Sequence, residues 1–450
     1  MKKMKTNEKY QGTCIDLNHQ GVGVIKIDGF PVFIEDMLVD EVAEFKVTKV
    51  EKSFAHGTVL KHLKYSDWRV NPICPVYNEC GGCNIMHLAY AKQLEFKTKM
   101  AYETFKRIGH LENVNIKEIM GMEEPFYYRN KVQIPFSVDN KKTICGFYKK
   151  KTHQIINLEQ CFIQPLVATE IAKYIRQLAN ELTISGYNEK DGSGILRHVL
   201  IRNTVDDQYM VVIVTREKNF LNKRELVDKL VVKFPMIKSI IQNINKESSN
   251  VILGRKSLVL AGQDQLTDTI VGLQFNLSFN AFFQTNHIQT EKLYHRVDEY
   301  AALTGSEVVV DAYCGVGTIG MLLAKKAKKV YGIEIIAEAV DNAISNAKLN
   351  KINNIEFICG EAEVEIPNFT STSIDVIVVD PPRKGCEAVL LETIKAKQIK
   401  RVIYVSCNVA TLARDLEILS SDYLIEEVTL VDMFPHTSEV ESIALLTLKS

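Results

Sequence analysis

The 450-residue sequence carries no formal net charge, because 55 Lys and Arg are matched by 55 Asp and Glu. That balance removes any global basic field advertising a polyanionic partner, and leaves only local clusters to do so. No stretch reaches the roughly 18 consecutive apolar residues of a membrane span, so no membrane partner is expected. No low-complexity tract interrupts the chain, and a composition of 46% hydrophobic and 24% charged residues is that of a globular protein. The basic opening Met1-Lys2-Lys3-Met4-Lys5 runs into polar Thr6-Asn7-Glu8-Lys9 instead of the apolar segment of a secretory signal. A cytoplasmic protein is the expectation, and its ten cysteines then point to metal binding or catalysis and not to a disulfide framework.

The length suits about three domains. Residues 1–60 alternate apolar and polar around glycines, as in Gly21-Val22-Gly23-Val24-Ile25-Lys26-Ile27 and Glu44-Phe45-Lys46-Val47-Thr48-Lys49-Val50, which predicts a small β-barrel. Residues 61–270 mix a cysteine cluster, a helical stretch near Tyr90 to Ile108 and strand-like runs such as Met210-Val211-Val212-Ile213-Val214, which predicts an α+β domain. Residues 271–450 alternate short apolar runs with helical patterns, the rhythm of an α/β, doubly wound Rossmann-like parallel sheet. Ligands of such sheets sit beyond the carboxyl ends of the strands.

The C-terminal motifs all fall at such ends. Asp311-Ala312-Tyr313-Cys314-Gly315-Val316-Gly317-Thr318 is a glycine-rich strand-to-helix turn, where glycine lets the backbone approach a ligand closely. Glu334 ends the next strand, positioned to bind the ribose hydroxyls of an adenosine. The same glycines match a dinucleotide fingerprint, so a nicotinamide-dependent oxidoreductase stays open on the glycines alone. Asp380-Pro381-Pro382-Arg383 follows a later strand, and its proline pair stiffens the turn that would face Asp380 into the crevice.

Arg401-Val402-Ile403-Tyr404-Val405-Ser406-Cys407-Asn408 runs a buried strand directly into a thiol over the same crevice. Near the C-terminus, Asp432-Met433-Phe434-Pro435-His436-Thr437-Ser438-Glu439-Val440-Glu441 supplies carboxylates, of which Glu441 is the candidate base. His436 is expected to shape the turn or meet a ligand. A thiolate that adds to an electron-poor ring, with a carboxylate to remove a proton, is the pairing covalent catalysis on a pyrimidine needs.

Cys74-Pro75-Val76-Tyr77-Asn78-Glu79-Cys80-Gly81-Gly82-Cys83 places three thiols in one loop, and Cys161 lies downstream. Four thiolates suit a cubane iron-sulfur cluster or a tetrahedral zinc, and the uneven spacing is unlike the paired units of zinc ribbons. Cys14, Cys145, Cys314, Cys359 and Cys386 show no ligand spacing and are expected to be structural.

Taken together these motifs, with Phe282-Phe283-Gln284-Thr285-Asn286, resemble the bacterial RNA uracil-5 methyltransferases that carry an N-terminal TRAM barrel, chiefly those acting on 23S ribosomal RNA. The resemblance implies that Gln284, Tyr313, Glu334 and Asp380 hold S-adenosylmethionine, that Cys407 is the nucleophile and Glu441 the base. It also implies a [4Fe-4S] cluster on Cys74, Cys80, Cys83 and Cys161. The chain departs from the family pattern at Val409, where proline is usual, and at Glu439, where histidine is common. RNA is the expected partner, with no stable protein partner. The RNA would be gripped by the barrel together with Arg129-Asn130-Lys131, Lys149-Lys150-Lys151, Arg197-His198 and Arg202. Transfer RNA as substrate, or a non-catalytic RNA-binding role, are the remaining alternatives.

Overall fold

A computed structural model describes residues 4–370 and 373–450. The N-terminal strands β1 (Lys9–Leu17), β2 (Gly23–Ile27), β3 (Phe30–Ile34), β4 (Val42–Val50) and β5 (Ala55–Lys64) close into a five-stranded barrel in the order β1-β2-β3-β5-β4. Its alternating residues turn Cys14, Ile25, Val32, Ile34, Phe45 and Val47 inward to a small dry core. Glycine is needed where strands crowd: a side chain at Gly57 would press on the Phe45 ring at 3.0 Å. The boundary expected at residue 60 falls inside β5, because the closing strand runs on past the apolar alternation that marked the barrel in the sequence.

Past the cysteine loop come α1 (Tyr90–Ile108), β6 (Lys131–Asp139), β7 (Lys142–Tyr148), β8 (Ile155–Asn157), α2 (Leu166–Glu181), β9 (Leu196–Asn203), β10 (Tyr209–Thr215), α3 (Lys223–Lys233), β11 (Ile237–Ile244) and β12 (Lys256–Gly262). The strands form one sheet in the order β12-β11-β10-β9-β6-β7-β8, covered by α2 and α3 through Ile171, Ile175, Leu226 and Leu230. Next are the hairpin β13 (Gln265–Ile270) and β14 (Leu273–Ser278), then α4 (His287–Ala301).

The C-terminal sheet alternates β15 (Val308–Ala312), α5 (Thr318–Ala324), β16 (Lys329–Glu334), α6 (Ala337–Leu349), β17 (Ile355–Cys359), α7 (Ala362–Glu365), β18 (Val376–Val379), α8 (Ala388–Ala396), β19 (Arg401–Ser406), α9 (Val409–Leu419), β20 (Tyr423–Val431) and β21 (Glu441–Leu448). Its order is β17-β16-β15-β18-β19-β21-β20, with β21 inserted antiparallel between β19 and β20. Central strands are apolar on both faces, as a sheet covered by helices on each side requires. One face packs Leu390, Leu412 and Leu416, the other Leu293, Val297 and Met321.

One segment expected in the central domain packs here instead, and a second straddles the expected boundary. Ala101 and Phe105 of α1 join the core under α8 and α9, while Ile116 and Met120 bridge to β20. Ile270, Leu273, Phe275 and Leu277 of the β13–β14 hairpin join the opposite face, so a boundary at 270 cuts a hairpin in two. Amphipathic periodicity tells that a face is buried, not which core receives it. Among the described residues no helix is long and apolar enough to cross a membrane.

Candidate active site

Beyond the carboxyl ends of β15, β16, β18 and β19 lies a cavity of about 1110 Å³, and Gln284, Tyr313, Glu334, Asp380, Cys407 and Glu441 all line it. The glycine-rich turn is shaped by left-handed backbone at Gly315 (φ 56°) and Gly317 (φ 82°), and a side chain on Gly317 would strike the Phe357 ring at 2.8 Å. Tyr313, a non-glycine residue, shares this conformation at φ 63°, and its hydroxyl donates to Glu363 at 2.5 Å. The Glu334 carboxylate accepts from the Gly315 amide at 3.1 Å and from the Ile336 amide at 2.9 Å, which fixes it at the lip of the turn.

Asp311, whose motif was read without a role for the residue itself, is buried and accepts from the Gly320 amide at 2.7 Å. Burial, with Asp380 and Glu334 nearby, pushes its carboxyl up to about 8. A lone acid in an otherwise apolar strand was the available sequence signal. Tyr294 and Phe434 also line the cavity, and the Tyr294 hydroxyl meets Thr318 Oγ1 at 2.8 Å.

Register explains how a thiol and a carboxylate 34 residues apart meet. In the antiparallel pairing of β19 with β21, Ser406 lies opposite Ser442. One step further along both strands, Cys407 leaves β19 where Glu441 enters β21, so both reach the cavity from adjacent strand ends. Asn408 caps α9 by accepting from the Ala410 amide at 3.0 Å, and donates through Nδ2 to the Arg383 carbonyl at 3.2 Å. The Asp380 turn is thereby fastened to the thiol's own loop. At the cavity mouth Arg383 reaches Glu439 at 3.5 Å, so one departure from the family pattern is an ion pair at the rim.

The charges in this cavity repel. Burial, then the Asp380 charge, pushes the Glu441 carboxyl up to about 8, with Arg383 opposing. Burial pushes Asp380 up to about 7. Burial, then Glu441 and Asp380, pushes the Cys407 thiol up to about 11. A cationic ligand in this cavity would offset that repulsion and favour the ionised forms of these groups.

His436 lies outside this cavity, buried against Phe126 with ring centroids 4.6 Å apart, and its amide donates to Gln93 of α1 at 2.9 Å. Burial pushes its imidazole down to about 4. Also from α1, Lys97 donates to Asp432 in a fully buried ion pair and to the Phe434 carbonyl at 3.1 Å, while the Tyr90 hydroxyl donates to Asp432 at 2.7 Å. The turn that leads into Glu441 is therefore held by α1.

Cys74, Cys80, Cys83 and Cys161 line a second cavity, of about 550 Å³, together with Arg129 and Lys131. The thiols sense one another: Cys161 is pushed up to about 11 by burial, with Cys80 and Cys74 adding to it. Thiol donors suit iron-sulfur or zinc chemistry. A single zinc needs sulfurs at about 2.3 Å, and among the described residues no group of three or more His, Cys, Asp or Glu side chains is set to hold a metal ion. Of the remaining cysteines, Cys14, Cys145, Cys314 and Cys386 are buried and Cys359 is exposed; Cys314 also borders the larger cavity.

The expected RNA grip needs correction. Arg197 is buried and donates to the Asn245 and Glu247 carbonyls at 3.0 and 2.6 Å, and Arg202 is buried and donates to the Ala281 carbonyl at 2.5 Å. Both hold loops inside the fold. Lys149 and Lys151 are at the surface, paired with Glu79 at 3.0 Å and Glu35 at 2.8 Å.

Residues 89–449 match the family model described as tRNA (uracil-5-)-methyltransferase. An RNA methyltransferase of Clostridium acetobutylicum, itself uncharacterized, is 47% identical over 98% of both chains. A corresponding protein of Oceanobacillus iheyensis is 46% identical, covering 98% of this chain and 97% of its own. Among solved structures, the tRNA (uracil-54, C5)-methyltransferase of Pyrococcus abyssi in complex with S-adenosyl-L-homocysteine superposes with a TM-score of 0.78 at 28% identity, covering 97% of this chain and 99% of that one. The chain belongs to the tRNA (uracil-5-)-methyltransferase family and is an S-adenosylmethionine-dependent RNA (uracil-5-)-methyltransferase.

Proposed function

We infer that the chain methylates carbon 5 of a uridine in folded RNA through a transient covalent bond between Cys407 and carbon 6 of the base. The observation that carries this reading is the strand register that sets Cys407 beside Glu441 on the cavity that Asp380 also lines. S-adenosylmethionine supplies an electrophilic methyl group when bound, and Gln284, Tyr313, Glu334 and Asp380 are the residues proposed to hold it.

The chain's own side chains then have defined tasks. The Cys407 thiolate adds to carbon 6, and the displaced π electrons make carbon 5 nucleophilic enough to take the methyl group. Carbon 5 then carries both methyl and hydrogen. The Glu441 carboxylate removes that proton, the 5,6 double bond re-forms and the carbon–sulfur bond breaks, which returns the thiolate. Cys407 must be ionised to add and Glu441 to take the proton, and burial and neighbouring acids oppose both states; a cationic cofactor bound beside Cys407 would favour the thiolate before the methyl group is transferred. A base inside a folded RNA has to leave its stack to reach the thiol.

The four thiols are proposed to hold a [4Fe-4S] cluster. The all-thiol donor set around one cavity, in the uneven spacing of the four cysteines, supports this. The proposed substrate is 23S ribosomal RNA, supported by the motif resemblance. Transfer RNA is a second reading, favoured by the Pyrococcus abyssi relative, which spans nearly the whole chain. A cytoplasmic site of action with no stable protein partner fits either substrate.

Incubating the protein with radiolabelled S-adenosylmethionine and unmodified 23S or transfer RNA tests the proposal. Label recovered as 5-methyluridine from ribosomal RNA alone supports the first reading, and from transfer RNA alone the second. Label on another base or atom overturns both.

A further inference from the structure

The two cavities share a wall at Thr285, and the wall is built from three backbone segments in series. Next to Cys161, the Phe162 carbonyl accepts from the Tyr127 amide at 2.8 Å and the Ile163 carbonyl from the Arg129 amide at 3.1 Å. On the other side, the Asn130 amide donates to the Thr285 carbonyl at 2.8 Å, the Asn130 side chain donates to the Gln284 carbonyl at 2.9 Å, and Arg129 bridges to Asn286. Asn130 is 6% and Gln284 9% exposed, so both are largely withdrawn from the outer surface. The same stretch reaches the catalytic turn, because the Tyr128 hydroxyl donates to the Pro435 carbonyl at 3.1 Å. Thr285 Oγ1 and Arg129 Nε are buried without a hydrogen-bond partner, so within the wall the side-chain link to the Gln284 segment is the one made by Asn130.

We propose that Asn130 is a positioning residue through which the group held by the four cysteines fixes Gln284 at the cofactor cavity. This rests on the reading of those cysteines as cluster ligands. A cluster ties Cys161 to the Cys74–Cys83 loop and so clamps residues 161–163, which clamp 127–129, and Asn130 passes that order to Gln284 and Thr285. Coupling between two binding sites is reciprocal: whatever cluster occupancy adds to affinity for an S-adenosyl ligand, that ligand adds to cluster retention.

The experiment uses the full chain purified without oxygen, with iron and sulfide quantified. S-adenosylhomocysteine binding is measured by calorimetry before and after the metal is stripped with oxidant and chelator. Stripping is expected to weaken binding about tenfold, within the usual range of such couplings. In Asn130→Ala the loaded protein is expected to bind as weakly as stripped wild type, with no further loss on stripping. Reciprocally, S-adenosylhomocysteine should raise the visible cluster absorbance that survives a fixed chelator challenge in wild type, and leave it unchanged in Asn130→Ala.

Equal affinity of loaded and stripped wild type overturns the coupling while leaving the cluster reading intact. Should the stripped protein unfold, the protection measurement on loaded protein decides, and absence of protection in wild type overturns the coupling. Purified protein without iron and sulfide overturns the cluster reading and this inference with it.

Discussion

Cys407 and Glu441 stand at adjacent ends of antiparallel strands, one register step beyond the Ser406–Ser442 pair. The insertion of β21 between β19 and β20 is what creates this adjacency, because a purely parallel edge would have put the strand start at the opposite end of the sheet. The thiol and the carboxyl are thereby placed on the same cavity by hydrogen-bonded backbone and not by mobile loops.

Separating their roles requires two variants. Cys407→Ala is expected to abolish methyl transfer while S-adenosylhomocysteine binding by calorimetry stays close to wild type. Glu441→Gln keeps the shape but removes the base, so turnover falls by about a hundred- to ten-thousand-fold. Its methylated adduct should then accumulate as a protein–RNA band on denaturing gels. A Glu441→Gln enzyme that turns over normally, or stalls with no band, assigns proton removal elsewhere.

Charge in the cavity predicts a ligand-dependent thiol. Because burial and neighbouring acids hold Cys407 up at about 11, its alkylation by iodoacetamide should be slow at neutral pH and rise in alkali. S-adenosylmethionine, with its positive sulfonium, should move the alkylation midpoint to lower pH, and S-adenosylhomocysteine, which lacks that charge, should move it less. Equal midpoints with the two ligands would mean that the sulfonium does not act on the thiol.

The buried carboxyls also link stability to pH. A Glu441 raised to about 8 keeps its proton in the folded protein at pH values where the unfolded chain has lost it. Its contribution is fully present below the unfolded value near 4.5 and is lost as pH rises through about 8. Glu441→Gln removes this dependence, so the melting temperature of the variant should exceed wild type more at pH 8 than at pH 5. A constant difference across that range contradicts the assignment.

Lys97→Met leaves Asp432 buried without its cation, at a cost of about 3–5 kcal/mol. The loss should appear as a lower denaturation midpoint, and a change under 1 kcal/mol would be inconsistent with the fully buried pair.

How far the sequence could be read follows from which signals are local. The Gly315–Gly317 turn, Glu334, Asp380 and Cys407 follow their own strands directly, so their common cavity was legible from strand order alone. The packing of α1 was not, because its apolar stripe is compatible with any core; what reveals its partner is Lys97 buried against Asp432, more than 300 residues away. Arg197 and Arg202 look like RNA contacts in sequence, since nothing local shows that their guanidiniums satisfy carbonyls inside the fold. Asn130 was grouped with its cationic neighbours, though its amide serves the Gln284 segment.

The most direct measurement of the central claim uses RNA containing 5-fluorouridine, in which carbon 5 bears a fluorine that cannot depart as a proton. With S-adenosylmethionine present, the enzyme should stop at its adduct, and mass spectrometry of the digested complex should find one nucleotide joined to the peptide containing Cys407. Finding no joined nucleotide, or finding it on another residue, would contradict covalent catalysis by this thiol.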